Sequence, residues 1–295
     1  VQLVKNLQSA FAQRIEENTW MTTATKAKAL EKLQAFDIKI GYPDKWQNMD
    51  SVFVIDEAKS LLDNVKNVQE AASKYIISKR WGKPVDKKLW HMTPQTVNAY
   101  YDPSTNSINF PAAILQPPFF DPEVDDAANY GAIGAVIGHE MSHGFDDQGC
   151  QFDKEGNMKN WWTDEDKKNY DARTKVLVDW FNQQEVIPGL KVNGEKTLGE
   201  NIGDNGGLNV AYRALENSMK QNPLTDKDGF TPSQRFFLAW GRVWASNVAP
   251  QFVAYIVNSD VHSPNVSRVN AALPMIDAWY KAFDIKEGDK LFVPQ

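Results

Sequence analysis

Cysteine is nearly absent from the 295-residue sequence: Cys150 is its only one, so no disulfide can form within the chain. The apolar core and any bound metal must therefore hold the fold, and the sequence neither requires nor excludes secretion. No run of about 18 apolar residues occurs, which excludes a membrane-spanning helix. The net charge of −6 lacks the basic excess that is typical of nucleic-acid-binding proteins.

An initiator methionine and a signal peptide are also missing, and the sequence begins within a helical pattern. We therefore expect a processed product or an excised fragment. The length and the 42% content of hydrophobic residues suit one large globular domain, or one domain with a smaller attachment. Aromatic and proline content rises near residue 80, which suggests a helical segment over residues 1–80 and a main domain over residues 81–295.

Apolar periodicity predicts a mainly helical chain with a small β-sheet. Two helices are expected within residues 1–35, and the charged face of the second, which begins near Thr22 or Thr23, is interpreted as a solvated face. Thr163 with Asp166 fits an N-terminal capping pattern for a long helix. Further helices are predicted over residues 57–80, 163–185 and 265–283, and strands over residues 36–40, 97–101 and 107–110, the last two as a hairpin.

One short pattern carries specific chemistry, the run His139-Glu140-Met141-Ser142-His143 in the stretch of residues 131–149, where it is embedded in a predicted helix. On a helix of 3.6 residues per turn, His139 and His143 lie one turn apart on one face, where two imidazoles can bind one zinc ion. Glu140 lies at the flank of that face and can reach a metal-bound water without being a ligand. The alternative is a buried helix whose two histidines only form hydrogen bonds.

A second stretch, residues 198–207, supplies acidic groups for such a site. A catalytic zinc ion with two histidines needs a third protein ligand, for which Glu200 is the candidate. Asp204 follows one helical turn later and could accept a hydrogen bond from a ligand histidine. Glycines would let this helix approach the His139 helix closely, and they occur in both segments: Gly199, Gly203 and Gly206 in one, Gly134 and Gly138 in the other. The alternative is a glycine-rich helix end with solvated acids.

The chain has only four histidines, and one of the remaining two, His262, is followed by Arg268. A hydrolase that attacks an amide must stabilise the oxyanion that develops, and His262 could donate a hydrogen bond to it. Arg268 could hold a substrate carbonyl or carboxylate. Both residues are equally well interpreted as ordinary loop residues, and no role is assigned to His91.

Together these blocks resemble the C-terminal catalytic part of the neprilysin and endothelin-converting enzyme family of zinc endopeptidases, which includes bacterial endopeptidase O. The N-terminal segment, with Trp20 and Ile40-Gly41-Tyr42-Pro43, resembles the family's inter-domain helices, so the resemblance covers essentially the whole chain. Animal members carry several cysteines in this part, so a bacterial member is expected. The matching blocks occur in the family's order and spacing, at residues 98–101, 110–120, 138–147, 200–207 and 260–268.

The resemblance implies a thermolysin-like zinc metallopeptidase (gluzincin) domain of the α+β class over residues 81–295. One Zn²⁺ ion per chain would be bound by His139, His143 and Glu200. Glu140 would activate the water and pass its proton to the leaving amine. The implied activity is cleavage of oligopeptides on the amino side of hydrophobic residues.

Further roles are implied by the same resemblance. Asp204, one of the catalytic residues with Glu140 and His262, would orient a ligand histidine, as would Asp146. His262 would stabilise the transition state. Asn98, Ala99 and Arg268 would bind the substrate backbone. An apolar pocket for the residue after the scissile bond would be formed by Ile114, Phe119, Val136, Val243 and Trp244.

Two other interpretations remain open at this stage. The family has a large N-terminal portion that builds most of a second, helical domain, and its absence here, with an apparently clipped end after Gln295, suggests an inactive fragment that needs this partner. A binding module could instead retain zinc for stability, although an intact Glu140 argues against that. The compartment is open: the bacterial cytoplasm, or export to the cell surface if the full-length protein carries a signal.

Overall fold

The first 35 residues form the two predicted helices, α1 (Gln2–Glu17) and α2 (Thr23–Gln34), in the computed structural model, which describes residues 1–50 and 52–293. Helix α2 begins where predicted because the Thr22 side chain accepts a hydrogen bond from the backbone N–H of Thr25. Apolar side chains at helical spacing along α1, Leu7 among them, are buried in the main hydrophobic core. Both helices therefore belong to the body of the protein.

Three strands form a small mixed sheet: β1 (Asp37–Gly41), β2 (Tyr100–Asp102) and β3 (Ser107–Pro111). Strand β3 lies between the other two, parallel to β1 and antiparallel to β2. The β2–β3 pairing confirms the predicted hairpin, although β2 begins later than expected. The arrangement leaves β2 at the edge of this sheet.

Two helices that cross tightly form the centre of the fold. One is α5 (Ala135–His143), preceded by the short helix α4 (Asp126–Asn129) and a π-helical turn (Tyr130–Gly134), and the other is α7 (Leu198–Gln221). A Cβ atom on Gly138 would lie 2.9 Å from the Cα atom of Gly207. The prediction that glycines bring the two helices into close contact is therefore confirmed for Gly138, Gly203 and Gly206, whereas a Cβ atom on Gly134 would lie nearest to Asn129 and Tyr130.

Five further helices follow α5 or α7 in the chain: α6 (Asp164–Phe181), α8 (Pro232–Val243), α9 (Pro250–Ser259), α10 (Asn265–Asn270) and α11 (Asp277–Phe283). The single helix predicted over residues 265–283 is wrong. A 3₁₀ turn (Leu273–Met275) interrupts it, because Pro274 has no backbone N–H to continue the helical ladder. Helix α6 also ends before residue 185, since the chain there enters a small antiparallel sheet of β4 (Glu185–Ile187) and β5 (Leu190–Lys191), which the sequence analysis missed.

The chain divides into two compact units, one of residues 1–41 together with residues from 94 onward, the other of residues 42–93. The second unit contains α3 (Leu61–Arg80). Ser60 caps the start of this helix, because the Ser60 side chain accepts a hydrogen bond from the backbone N–H of Asp63. The boundary at residue 80 that composition suggests differs from these limits and stays a prediction. The mainly α class with a small sheet is confirmed. Among the described residues, no helix combines the length and apolar composition that crossing a bilayer requires.

A buried carboxylate, that of Asp166, joins the first turns of α2 and α6. It accepts hydrogen bonds from the Thr22 backbone (2.6 Å) and from the hydroxyls of Thr22 (2.7 Å), Thr25 (2.5 Å) and Thr163 (2.5 Å). Burial alone would raise the pKa of this carboxyl group, but the hydrogen bonds from the three threonines outweigh it and lower the pKa to about 2. The ionised form therefore stabilises the junction between the two helices.

Replacing Asp166 with Asn is expected to lower the free energy of unfolding at pH 7 by about 2 kcal/mol. Because the folded-state pKa is depressed, this contribution is complete above pH 4 and is lost as the pH falls towards 2. Urea unfolding at pH 7 and near pH 2 should therefore show that the variant's loss of unfolding free energy, relative to the wild type, is smaller at the lower pH. Asp164→Asn, which alters an exposed acid in the same helical turn, is the control and should cost less than about 1 kcal/mol. An equal loss of unfolding free energy in both variants would contradict the stabilising role of the ionised Asp166 carboxylate.

Candidate metal centre

Helices α5 and α7 bring three metal-binding side chains together. His139 and His143 lie on successive turns of α5, and Glu200 lies in the first turn of α7. The two Nε2 atoms are 3.0 Å apart, and Glu200 Oε2 lies 3.1 Å from His139 Nε2 and 3.6 Å from His143 Nε2. The three residues form a group in which the ligand atoms lie within 4.8 Å of one another.

This group has the donor set and spacing that a zinc ion requires. Tetrahedral Zn²⁺ with bonds of about 2.0–2.2 Å holds its ligand atoms roughly 3.3–3.5 Å apart, close to the separations among these atoms. Glu200 Oε2 is buried and receives no hydrogen bond of acceptable geometry from the described residues, although imidazole nitrogen atoms surround it. A buried oxygen in this state is suited to accept a metal ion, so the residues present fit zinc.

The other nitrogen atom of each imidazole is held by a carboxylate. His139 Nδ1 lies 2.8 Å from Asp204 Oδ1, and His143 Nδ1 lies 2.6 Å from Asp146 Oδ2. A hydrogen bond at Nδ1 fixes the ring orientation and leaves Nε2 available for a metal. Gly199 in α7 allows this arrangement, because a Cβ atom there would lie 3.2 Å from Asp146 Oδ2.

Asp204 is itself paired with the buried guanidinium of Arg268. Arg268 Nε lies 2.8 Å from Asp204 Oδ2, and its Nη2 lies 2.6 Å from Asp204 Oδ1. Burial would raise the pKa of Asp204, but the positive charge of Arg268 and the bond from His139 lower it, so the carboxylate is ionised. The Arg268 guanidinium also lies 3.7 Å from the centre of the Trp244 ring. These contacts were missed in the sequence analysis, where Arg268 was considered only for substrate binding, a role that stays a prediction.

Glu140 lies on α5 next to His139 and is buried, with 5% of its surface exposed. Burial raises the pKa of its carboxyl group, while the positive charge of the neighbouring imidazoles lowers it by less. A raised pKa suits a carboxylate that must accept a proton near neutral pH. The position is thus chemically suited to a general base.

His262 lies in the loop between α9 and α10 and reaches the same group. Its Nε2 atom lies 3.2 Å from Glu200 Oε2, and its Nδ1 atom lies 2.7 Å from Asp260 Oδ1. Asp260 also accepts a hydrogen bond from the His262 backbone N–H, a turn that an Asp two residues before His could have indicated. The loop is anchored to α7 by the buried Ser263 hydroxyl, which donates to Asn201 Oδ1 at 2.7 Å. The roles of Asp260 and Ser263 were not predicted.

The predicted substrate-binding residues other than Arg268 lie directly before the edge strand β2 or in the main hydrophobic cluster. Asn98 is exposed and accepts a hydrogen bond from the buried Ala99 directly before the edge strand β2. Strands β2 and β3 both contact α5. The five residues predicted for the apolar pocket belong to one hydrophobic cluster: Ile114 and Val136 are buried in it, and Phe119, Val243 and Trp244 pack against it partly buried.

Two family models identify the group of proteins to which these features belong. The model of Peptidase family M13 matches residues 98–295, and a second model with the same description matches residues 1–43. The chain belongs to peptidase family M13. The resemblance inferred from the motifs is therefore confirmed, and so is the thermolysin-like fold class.

Relatives within the M13 family cover almost all of this chain. A neutral endopeptidase of Lactobacillus helveticus is 39% identical over 99% of the chain and 43% of its own length, and human neprilysin is 36% identical over 97% and 40%. The crystal structure of the zinc metalloprotease Zmp1 of Mycobacterium tuberculosis, in complex with an inhibitor, matches with a TM-score of 0.95 and 46% identity, over 99% of this chain and 45% of that one. The chain thus spans less than half the length of these relatives.

A methyl group at position 203 would disturb the metal site, because a Cβ atom there would lie 2.7 Å from the ring of His139. Gly203→Ala is therefore expected to raise the zinc dissociation constant by about tenfold or more, measured by competition with a chelator of known affinity. Gly241→Ala is the matched control, since that glycine is also helical and a Cβ atom would meet nothing within 4 Å. The control should retain zinc affinity and gain up to about 1 kcal/mol of stability. Unchanged zinc affinity in Gly203→Ala would contradict the predicted role of His139.

Proposed function

We propose that this chain is the catalytic part of a zinc-dependent metalloendopeptidase that hydrolyses oligopeptides. The observation that carries the proposal is the convergence of His139, His143 and Glu200 within 4.8 Å, with the buried carboxylate of Glu140 beside them. A structural zinc site is closed and needs no neighbouring base, whereas a catalytic site keeps one position open. Membership of peptidase family M13 supports the same conclusion.

When bound by these residues, zinc would lower the pKa of water to near 7 and polarise a peptide carbonyl. Glu140 would accept the proton of the attacking water and deliver it to the leaving amine. Asp204 and Asp146 would keep the two imidazoles in the tautomer that presents Nε2. The His262 ring, whose Nδ1–H is bonded to Asp260, would in its imidazolium form donate its Nε2–H to the oxyanion of the tetrahedral intermediate.

Substrate would lie along the edge of the small sheet. Strand β2 is an edge strand, and an extended peptide can pair with such an edge through main-chain hydrogen bonds. Asn98 and Ala99, directly before this strand, would bind the substrate backbone, and Arg268 would hold a substrate carbonyl. The residue after the scissile bond would enter an apolar pocket formed by Ile114, Phe119, Val136, Val243 and Trp244.

A further region of the same protein is the proposed partner of this chain. The relatives are more than twice as long, since this chain covers 43% of the Lactobacillus helveticus enzyme. In the family a second, helical domain closes over the active site and restricts access to oligopeptides. The catalytic residues would then lie in this chain, while substrate size would be controlled by the additional region.

Glu140→Gln tests the general base. The variant should bind zinc as the wild type does and lose about 10²- to 10⁴-fold in kcat on a quenched fluorescent peptide, because the amide cannot take up the proton. Glu165→Gln, in an exposed position of α6, should retain full activity. Wild-type cleavage should stop when a chelator removes zinc. Full activity in a zinc-bound Glu140→Gln protein would contradict the mechanism, and zinc binding without any wild-type cleavage would favour a fragment that requires its partner region.

The cleavage preference is tested with two peptides that differ only in the residue after the scissile bond. A peptide with Phe at that position should have a kcat/KM at least about tenfold higher than one with Asp, because a charged side chain loses its hydration in an apolar pocket. Mass spectrometry of the products should place the cut on the amino side of Phe. Equal rates for the two peptides would argue against the pocket.

A further inference from the structure

A fully buried lysine lies behind the turn that follows α5. Lys32, in the last turn of α2, is 1% exposed. Its Nζ atom donates hydrogen bonds of 2.7 Å to the backbone carbonyls of Gly144, Gly149 and Phe152. An ammonium group has three N–H donors, so each donor meets one carbonyl. The interpretation of the charged face of α2 as a solvated face is wrong at this residue.

The surroundings of Lys32 favour its charged form. The rings of Tyr101, Phe145 and Trp161 have their centres 5.7–5.9 Å from Nζ, a distance at which ring faces attract cations. Burial lowers the pKa of Lys32 to about 8, and the nearby groups Cys150, Asp146 and Asp153 oppose the effect. The side chain is therefore mostly protonated at pH 7. This ammonium group is held by carbonyl oxygens and aromatic rings.

The three carbonyls that Lys32 binds belong to the turn formed by residues 144–152, and this turn contains Asp146. Asp146 Oδ1 accepts hydrogen bonds from the backbone N–H groups of Gln148 (2.9 Å) and Gly149 (2.6 Å), while its Oδ2 bonds His143 Nδ1. Gly149 thus donates to Asp146 through its N–H and accepts from Lys32 through its carbonyl. The turn is wound so tightly against α5 that a Cβ atom on Gly149 would lie 1.7 Å from the carbonyl oxygen of His143. A small shift of the turn would move the Asp146 carboxylate away from His143.

We propose that Lys32 is a positioning residue of the metal site: by binding three carbonyls of the turn, it fixes the Asp146 carboxylate that orients His143. This inference rests on the proposed zinc-dependent function. All three N–H donors of Lys32 are taken by backbone carbonyls of the turn, so its hydrogen bonds reach the site through the turn, and its charge also attracts Asp146. It also gives the N-terminal segment, which a separate family model matches, a direct part in building the site.

The test replaces Lys32 with Met, which retains the apolar stem and removes the ammonium group. Zinc affinity of the purified chain is measured by chelator competition, a readout that does not require activity. We expect the zinc dissociation constant to rise about tenfold. Lys26→Met is the matched control, because Lys26 lies on the same helix and donates to a single carbonyl near the surface. The control should stay within about twofold of the wild type.

A double-mutant cycle distinguishes positioning from general stabilisation. Asp146→Asn alone should weaken zinc binding about tenfold or more. If Lys32 acts through Asp146, the double variant should bind zinc within about twofold of Asp146→Asn alone, whereas independent effects would multiply. Lys32→Gln, which retains two N–H donors, should lie between the wild type and Lys32→Met.

The outcomes separate this inference from the proposed function. A wild-type chain that binds zinc but cleaves nothing would favour a fragment that requires its partner region, and a fully active, zinc-bound Glu140→Gln protein would contradict the proposed mechanism. Both outcomes leave the zinc measurements on Lys32 fully informative. Unchanged zinc affinity in folded Lys32→Met, or multiplicative effects in the cycle, would overturn the role of Lys32. So would Lys32→Met and Lys32→Gln proteins that remain unfolded with and without zinc, because the lysine would then serve the whole fold.

Discussion

The close crossing of α5 and α7 is the constraint on which the site depends. The ligand atoms come from two helices, and His139 Nε2 and Glu200 Oε2 meet at 3.1 Å only because the backbones nearly touch. A Cβ atom on Gly207 would lie 2.4 Å from the carbonyl oxygen of Ala135, and one on Gly203 would overlap the His139 ring. Each helical glycine costs about 1 kcal/mol relative to alanine, and this cost is offset by packing that larger residues would prevent.

The two imidazoles are held by the same kind of hydrogen bond, in which the Nδ1 atom of each ring bonds a carboxylate. Each histidine is held by a buried carboxylate, and each carboxylate depends on a buried cation. Arg268 binds Asp204 directly through two hydrogen bonds, whereas Lys32 acts on Asp146 through the backbone of a turn. A buried charge destabilises the fold unless an opposite charge or hydrogen bonds compensate it. Removal of one partner therefore leaves the other as an uncompensated buried charge. The support of the site is therefore sensitive to single substitutions at residues that do not themselves bind the metal.

Sequence alone could predict the features that follow from local spacing. His139, Glu140 and His143 are adjacent on one helix, and Glu200 and Asp204 are one turn apart on another, so helical periodicity places them correctly. The contacts of Lys32 could not be predicted in the same way, and neither could the bonds from Thr22 and Thr25 to Asp166, because these partners lie more than 100 residues apart in the chain. A lysine in a helix rich in Lys and Ala resembles an exposed residue until the carbonyls that surround it are known. The parallel pairing of β1 with β3 was also not predicted, because residues 42–93, which form the other compact unit, separate the two strands in the chain.

These long-range contacts define the physical unit that carries the site. Residues 1–41 belong to the same compact unit as the metal-binding helices, although about fifty residues intervene in the chain. They contribute the ammonium of Lys32 and the hydroxyls of Thr22 and Thr25, which satisfy the buried carboxylate of Asp166. A polypeptide that began after residue 80 would contain every metal-binding residue and lack both supports. It would leave three carbonyls of the Asp146 turn and the Asp166 carboxylate without these donors, at a cost of about 1–3 kcal/mol for each buried group. The metal-binding residues therefore lie in two short segments of sequence, but the contacts that hold these segments in place come from distant parts of the chain.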